Sequence, residues 1–294
     1  MNAGGIQYSG AVYRPPSEAY SLIIQATLGC SHNKCAFCNM YKAKNFSVRP
    51  LQTVLAELAW ARRQYARIPR IFLADGDALI LPMDYLMTVL SFVRKNIPEC
   101  ERVSVYGSPK SILGKSEEEL NRLHAEGLGM VYMGLETGNE ALLKKFCKGQ
   151  PVEEVIHAGK KIKNSGIALS VTAISGLGGL ENWEGHAVDT GKALSAMNPD
   201  YIGLLTLRVY RGTPLAQWVE EGSITLMDPL QLARETRLLL ENTDSEGSVF
   251  RSNHASNYLV LKGTLNRDKP RLLAQLDEAL EGKRRFRSQV ELGF

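Results

Sequence analysis

No apolar run in this sequence approaches the ~18 residues of a membrane-crossing helix, which excludes a helical membrane anchor. No stretch rich in Gly, Ser or Pro separates its periodic segments, so nothing in the chain resembles a flexible linker. The formal net charge is only +4, too small to demand a polyanionic partner. The first residues, Met1-Asn2-Ala3-Gly4-Gly5, lack the basic-then-apolar order of a signal peptide. Cysteine is scarce and odd in number, at five, with three of the five clustered. That excludes a fully paired disulfide framework and suits a reducing cytoplasm and a metal site. What remains is an ordinary globular composition, 44% hydrophobic and 22% charged, with ample material for a core.

Short apolar runs alternate with helical patterns along the chain. Six runs read as strands: Ser21 to Thr27, Arg70 to Ala74, Val103 to Tyr106, Met130 to Leu135, Ala168 to Ile174 and Tyr201 to Leu207. Between them lie 3.6-period stripes after Pro50, from Pro82 to Asn96, from Ser116 to Gly127, from Val152 to Asn164 and from Trp183 to Met197. Ser116 and Glu119 form a capping box, and Gly127 marks the stop. Strands spaced by roughly 30 to 40 residues with helices between them must be parallel. The fold class is α/β: a partial (β/α)6 parallel barrel with a C-terminal α/β extension. Residues 1–20 read as an N-terminal arm, 21–212 as the barrel core, and 213–294 as an extension packed on it. In the extension, helices are expected from Leu215 to Glu221, Asp228 to Leu240 and Pro270 to Leu280, with a strand at Ser248-Val249-Phe250.

In parallel α/β folds ligands meet the carboxyl ends of the strands, and here those ends carry the chemistry. The first is followed by Cys30, Cys35 and Cys38, spaced C-x4-C-x2-C; the second by Asp75, Gly76 and Asp77; the third by Ser108. The fourth ends at Glu136, the fifth at Ser175-Gly176, and the sixth at Arg208 and Tyr210. Thiolates this close can share one metal centre. Structural zinc, with His32 as a fourth ligand, is one reading. A [4Fe–4S] cluster with one iron left open is the other.

The cysteine loop, with Phe37 before its last Cys, resembles the cluster loop of radical S-adenosylmethionine (SAM) enzymes, whose core is a partial (β/α)6 barrel. The resemblance covers about residues 20 to 210. The commoner spacing in that superfamily is Cys-x3-Cys-x2-Cys, one residue shorter. Ala74-Asp75-Gly76-Asp77 stands where the family's Gly-Gly-Glu-type segment meets the SAM amino group. Gly134-Leu135-Glu136-Thr137-Gly138 resembles the strand-four motif of the coproporphyrinogen-dehydrogenase and methylthiotransferase branches. Ile174-Ser175-Gly176-Leu177-Gly178 resembles the segment that packs on adenine, and Leu207 to Pro214 the turn after strand six. Met40 occupies the position of a fourth Cys in the porphyrinogen enzymes, and Lys148 is the nearest cation where relatives often carry Arg.

The resemblance implies a [4Fe–4S] cluster on Cys30, Cys35 and Cys38, and SAM held by Phe37, Asp75, Gly76, Asp77, Ser108, Glu136, Lys148, Thr172, Ser175, Gly176 and Arg208. It implies reductive cleavage of SAM to a 5′-deoxyadenosyl radical that takes hydrogen from a substrate. The polar loop Ser252 to Tyr258 offers Asn253, His254 and Asn257 as substrate contacts. A small-molecule substrate, a cytoplasmic setting and an electron donor such as flavodoxin or ferredoxin are expected. The alternatives are an RNA-modifying radical enzyme, gripping phosphates with Lys283 to Arg287, and a non-catalytic metal-binding or electron-transfer protein. Cys100 and Cys147 read as ordinary thiols. His124, His157 and His186 read as helix fillers, and Val12 to Glu18 as a polar arm, loosely packed or reaching over the barrel mouth.

Overall fold

The computed structural model describes residues 5–292; Met1 to Gly4 of the expected arm lie outside the described residues. Strands β1 (Leu22–Gln25), β2 (Thr27–Leu28) and β3 (Ser47–Val48) lead to α1 (Leu51–Gln64), β4 (Arg70–Ala74), α2 (Met83–Asn96) and β5 (Arg102–Tyr106). Helices α3 (Pro109–Leu113) and α4 (Glu117–Ala125) then lead to β6 (Leu128–Glu136), α5 (Glu140–Lys145), α6 (Val152–Asn164) and β7 (Ala168–Ser175). The chain continues through α7 (Trp183–Met197), β8 (Tyr201–Thr206), α8 (Pro214–Glu220), α9 (Pro229–Glu241), β9 (Val249–Arg251), β10 (Lys262–Thr264) and α10 (Lys269–Leu280).

The main sheet has the order β1-β4-β5-β6-β7-β8-β9-β10, so β1 and β10 are its two edges. The pairs β1–β4, β4–β5 and β5–β6 are parallel, and so are β7–β8 and β8–β9, which brings the carboxyl ends together within each set. This is the mostly parallel α/β arrangement expected of a partial barrel. The strand expected at Ser248-Val249-Phe250 is β9, parallel to β8, and the antiparallel β10 carries the sheet one strand further.

Two local differences from the sequence reading have plain causes. The first apolar run breaks at Ala26, after which β2 pairs antiparallel with β3 in a separate ribbon. Helices α3 and α5 are too short for a 3.6-residue period to show; each is started by a side-chain cap, Ser108 Oγ accepting from the Ser111 N–H at 3.1 Å and Asn139 Oδ1 from the Leu142 N–H at 3.1 Å. The Ser116–Glu119 capping box forms as read.

The chain divides into two compact units, each with its own apolar cluster. Unit 1 comprises residues 1–33, 40–133 and 161–169; unit 2 comprises 34–39, 134–160 and 170–294. In unit 1, Ile23, Phe72, Ala74, Met130 and Tyr132 pack together, with the rings of Phe72, Tyr106 and Tyr132 edge to face. Val12 joins this cluster, and Glu18 is fully buried, paired with Arg102 at 2.7 Å. The segment from Val12 to Glu18 is therefore tied into its unit, not loosely packed. In unit 2, Ala36, Leu142, Phe146, Ile174, Leu177, Leu215 and Ile224 form the second cluster. Among the described residues no helix is long and apolar enough to cross a membrane.

Candidate functional site

In unit 1, the turn after β4 is built around two fully buried carboxylates. Asp75 Oδ2 accepts from Gln25 Nε2 at 3.2 Å and from the Gly29 N–H at 3.0 Å, and pairs with Lys44 Nζ at 2.8 Å. Its Oδ1 is buried with no hydrogen-bond partner. Asp77 is saturated instead. Its Oδ1 accepts from the Ser108 N–H at 3.0 Å and Ser111 Oγ at 2.7 Å, and its Oδ2 from Ser31 Oγ at 2.5 Å and Ser108 Oγ at 2.8 Å. Asp77 does not cap its own turn; it joins the residue after Cys30 to the start of α3. Gly76 leaves no room for a side chain. A Cβ there would stand 2.9 Å from the Cys30 Cβ and 2.8 Å from the Tyr41 ring, and the Gly76 N–H donates to the Gly29 carbonyl at 3.0 Å. Cys30 therefore rests against the β4 turn.

The remainder of the cysteine loop, 34–39, belongs to unit 2, where Ala36 anchors it. Its N–H donates to the Phe146 carbonyl at 2.9 Å, and its carbonyl accepts from the Leu215 N–H at 3.1 Å. Phe37 packs on Phe146, ring centroids 6.0 Å apart. Cys30, Cys35 and Cys38 are half-buried thiols, and among the described residues no three His, Cys, Asp or Glu side chains are grouped as a metal site.

At the end of β6, Glu136 holds φ at +65°, a left-handed conformation that costs a non-glycine residue about 1–3 kcal/mol. Its Oε1 pairs with Lys148 Nζ at 2.8 Å. Gly134 makes room for that pair, because a Cβ there would lie 2.0 Å from Glu136 Oε1. Beyond β8, Thr206 Oγ1 donates to Asn257 Oδ1 at 2.9 Å, and Asn257 Nδ2 donates to the Leu204 carbonyl at 2.7 Å. Asn257 thus pins the polar loop to the strand. His254 is half-buried and Asn253 exposed. Burial, then the nearby Arg208 charge, pushes the His254 pKa below its usual value.

Two buried residues stand at the β7 end: His186, read from sequence as a helix filler, and Glu235, which the sequence reading did not name. His186 on α7 accepts from or donates to Thr137 Oγ1 at 2.8 Å through Nδ1 and meets the Ile174 carbonyl at 3.0 Å through Nε2. The carbonyl can only accept, so Nε2 carries the proton and Nδ1 accepts from the threonine. Burial lowers its pKa to about 4, which keeps it neutral. Glu235 on α9 accepts Ser175 Oγ–H and the Gly176 N–H, both at 2.7 Å. Thr172 is a half-buried member of β7, paired with Gly203. In the basic run, Lys283, Arg284 and Arg285 pair with Glu281, Glu278 and Glu291.

Residues 24–189, over half of the chain, match the Radical SAM superfamily. A stretch of 127 residues is 29% identical to an uncharacterized protein of Methanocaldococcus jannaschii, covering 43% of this chain and 32% of that protein. The chain thus spans about a third of that relative's length. Among solved structures, the fold is similar to the radical S-adenosylmethionine methyltransferase TsrM from Kitasatospora setae, determined with cobalamin and a [4Fe-4S] cluster bound. The TM-score is 0.57 at 21% identity, over 69% of this chain and 39% of that one. It is also similar to the coproporphyrinogen III oxidase HemN of Escherichia coli, a radical SAM enzyme. There the TM-score is 0.53 at 18% identity, over 76% of this chain and 52% of that one. The match across the strands that bear the cysteine loop, Asp75 and Glu136 is decisive: this chain belongs to the radical SAM superfamily of enzymes.

Proposed function

We propose that this enzyme holds a [4Fe–4S] cluster on Cys30, Cys35 and Cys38, binds SAM beside it, and acts on a small-molecule substrate. The observation that carries the reading is the partnerless Oδ1 of Asp75, fully buried at the turn against which Cys30 rests. A buried acceptor without a donor costs about 1–3 kcal/mol, and the ammonium of a bound amino acid moiety is a fitting donor. When bound, the cluster and SAM supply one-electron cleavage of the C5′–S bond and a 5′-deoxyadenosyl radical that takes hydrogen from the substrate.

The residues of the chain bind, orient and exclude water. Gln25, the Gly29 N–H and Lys44 hold Asp75 by Oδ2, which fixes the direction of Oδ1. Asp77, through Ser31 and Ser108, steadies the start of the cysteine loop. Phe37, packed on Phe146, shields the loop from water. Glu136, steered by Lys148, presents its carboxylate to ribose hydroxyls or the ammonium. Thr172 and the Ser175-Gly176 turn face adenine, and Arg208 offers a cation to the carboxylate or to substrate. His254 and Asn253 are the substrate contacts, with Asn257 setting the loop that carries them. An electron donor such as flavodoxin or ferredoxin is the partner this chemistry needs.

Anaerobic reconstitution with iron and sulfide, reduction with dithionite and assay for 5′-deoxyadenosine test the reading. Wild-type protein is expected to release 5′-deoxyadenosine, and Cys35→Ala to lose both cluster and cleavage. A spectrum unmoved by SAM, with no 5′-deoxyadenosine formed, overturns it.

A further inference from the structure

Glu235 lies on α9, outside the residues that match the superfamily, and it is fully buried. Its Oε1 accepts both the Ser175 hydroxyl and the Gly176 N–H at 2.7 Å, while its Oε2 is buried without a partner. Gly176 stands at φ +87°, and Leu232 of the same helix comes within 3.0 Å of where a Cβ would be. Helix α9 therefore grips the turn after β7 twice, by a carboxylate and by a leucine. A buried carboxyl is an expensive way to hold a turn, since an apolar side chain in its place avoids the desolvation. Its placement at the end of β7 argues for a functional purpose.

We propose that Glu235 is a positioning residue for the adenosyl ligand, fixing the Ser175-Gly176 turn as the surface against which the nucleoside packs. This rests on the SAM-binding reading of the site. Ionisation matters to it, because a carboxylate is a stronger acceptor than a carboxyl oxygen. The groups facing Glu235 do little to offset its burial. From α7 comes His186, neutral, with Nε2 3.9 Å from Oε1. From the β7 turn come only uncharged donors. On α9 itself Arg234 is exposed and Arg237 is taken by Glu241 and by Asp277 of α10. Burial accordingly raises the Glu235 pKa to about 7.

The test is the affinity of reconstituted protein for S-adenosylhomocysteine, by calorimetry at pH 6, 7 and 8, with iron content measured alongside. Wild type is expected to bind about fivefold more tightly at pH 8 than at pH 6, as the turn gains its ionised acceptor. Glu235→Gln, which keeps an acceptor oxygen but cannot ionise, should give a flat profile. Glu235→Ala should weaken binding about tenfold, the worth of one or two buried hydrogen bonds, with iron content unchanged. Thr236→Ala, a neighbouring buried change whose hydroxyl bonds only within the helix, should keep the wild-type profile. A pH dependence that survives in Glu235→Gln, or undiminished binding in Glu235→Ala, overturns the positioning role. Absence of binding in wild type overturns the reading of the site beneath it.

Discussion

Asp75 and Asp77 flank one glycine and are both fully buried, yet Asp77 has both oxygens saturated by Ser31, Ser108 and Ser111 while Asp75 keeps Oδ1 unpartnered. The same side chain two residues apart therefore does two jobs. Asp77 is a clamp between the cysteine loop and α3, and Asp75 presents an acceptor.

The two carboxylates should separate by mutation. Asp77→Asn puts an amide where a backbone N–H and three hydroxyls donate, and should lower unfolding stability by about 1–3 kcal/mol. Asp75→Asn keeps an acceptor for Gly29 and should preserve the cluster, but weaken S-adenosylhomocysteine binding about tenfold by losing the charge. Denaturant melts and calorimetry on the two variants check this; equal effects on both measurements would mean that the division of labour is wrong.

Gly134 offers a second test at the other strand end. A methyl group there displaces the Glu136–Lys148 pair, since its Cβ would lie 2.0 Å from Glu136 Oε1 and 2.9 Å from Lys148 Nζ. Both obstacles are side-chain tips, so the fold should survive Gly134→Ala with a loss of about 1–3 kcal/mol. Formation of 5′-deoxyadenosine should fall at unchanged iron content. Lys148→Ala should fall with it, because the same carboxylate loses its orientation.

The sequence made the scaffold legible for a specific reason. Strands buried on both faces must be continuous apolar runs, and the helices joining them must be amphipathic, so β4 to β8 and α1, α2, α6 and α7 stand out. The strand-end residues Asp75, Glu136 and Ser175 were legible because polar groups interrupt apolar runs there. The bonds of Glu235 and His186 were not, because each sits inside a helix and its partners lie far along the chain: 59 residues for Glu235 to Gly176 and 49 for His186 to Thr137. The burial of Glu18 was hidden likewise, its cation being 84 residues away.

That distant pair carries its own prediction. Glu18 is fully buried, with Arg102 at 2.7 Å and the Tyr132 hydroxyl donating to it at 2.5 Å. Removing the cation strands a buried carboxylate, so Arg102→Ala should cost about 3–5 kcal/mol. Replacing both partners, Arg102→Leu with Glu18→Gln, should recover much of the loss in a double-mutant melt.

The sharpest pH signature comes from Glu235 and His186, whose contributions to stability run in opposite directions. The folded pKa of Glu235 is raised from 4.5 to about 7, so the native state binds its proton more readily than the unfolded chain. The stability it contributes is complete below pH 4.5 and is lost as pH rises through 7, by roughly 3 kcal/mol in all. The folded pKa of His186 is lowered from 6.5 to about 4, so its contribution is complete above pH 6.5 and is lost as pH falls through 4. Between pH 5 and 6 the two nearly cancel, and wild-type stability should be almost flat. Above pH 6.5 the His186 contribution is constant while Glu235 continues to ionise, so stability should decline towards pH 8. Glu235→Gln removes that limb: its stability should rise up to pH 6.5 and hold level beyond, leaving the variant more stable than wild type at pH 8. Urea midpoints at pH 5, 6.5 and 8 measure all three regimes, and a Gln variant that still loses stability above pH 6.5 would place the titrating group elsewhere.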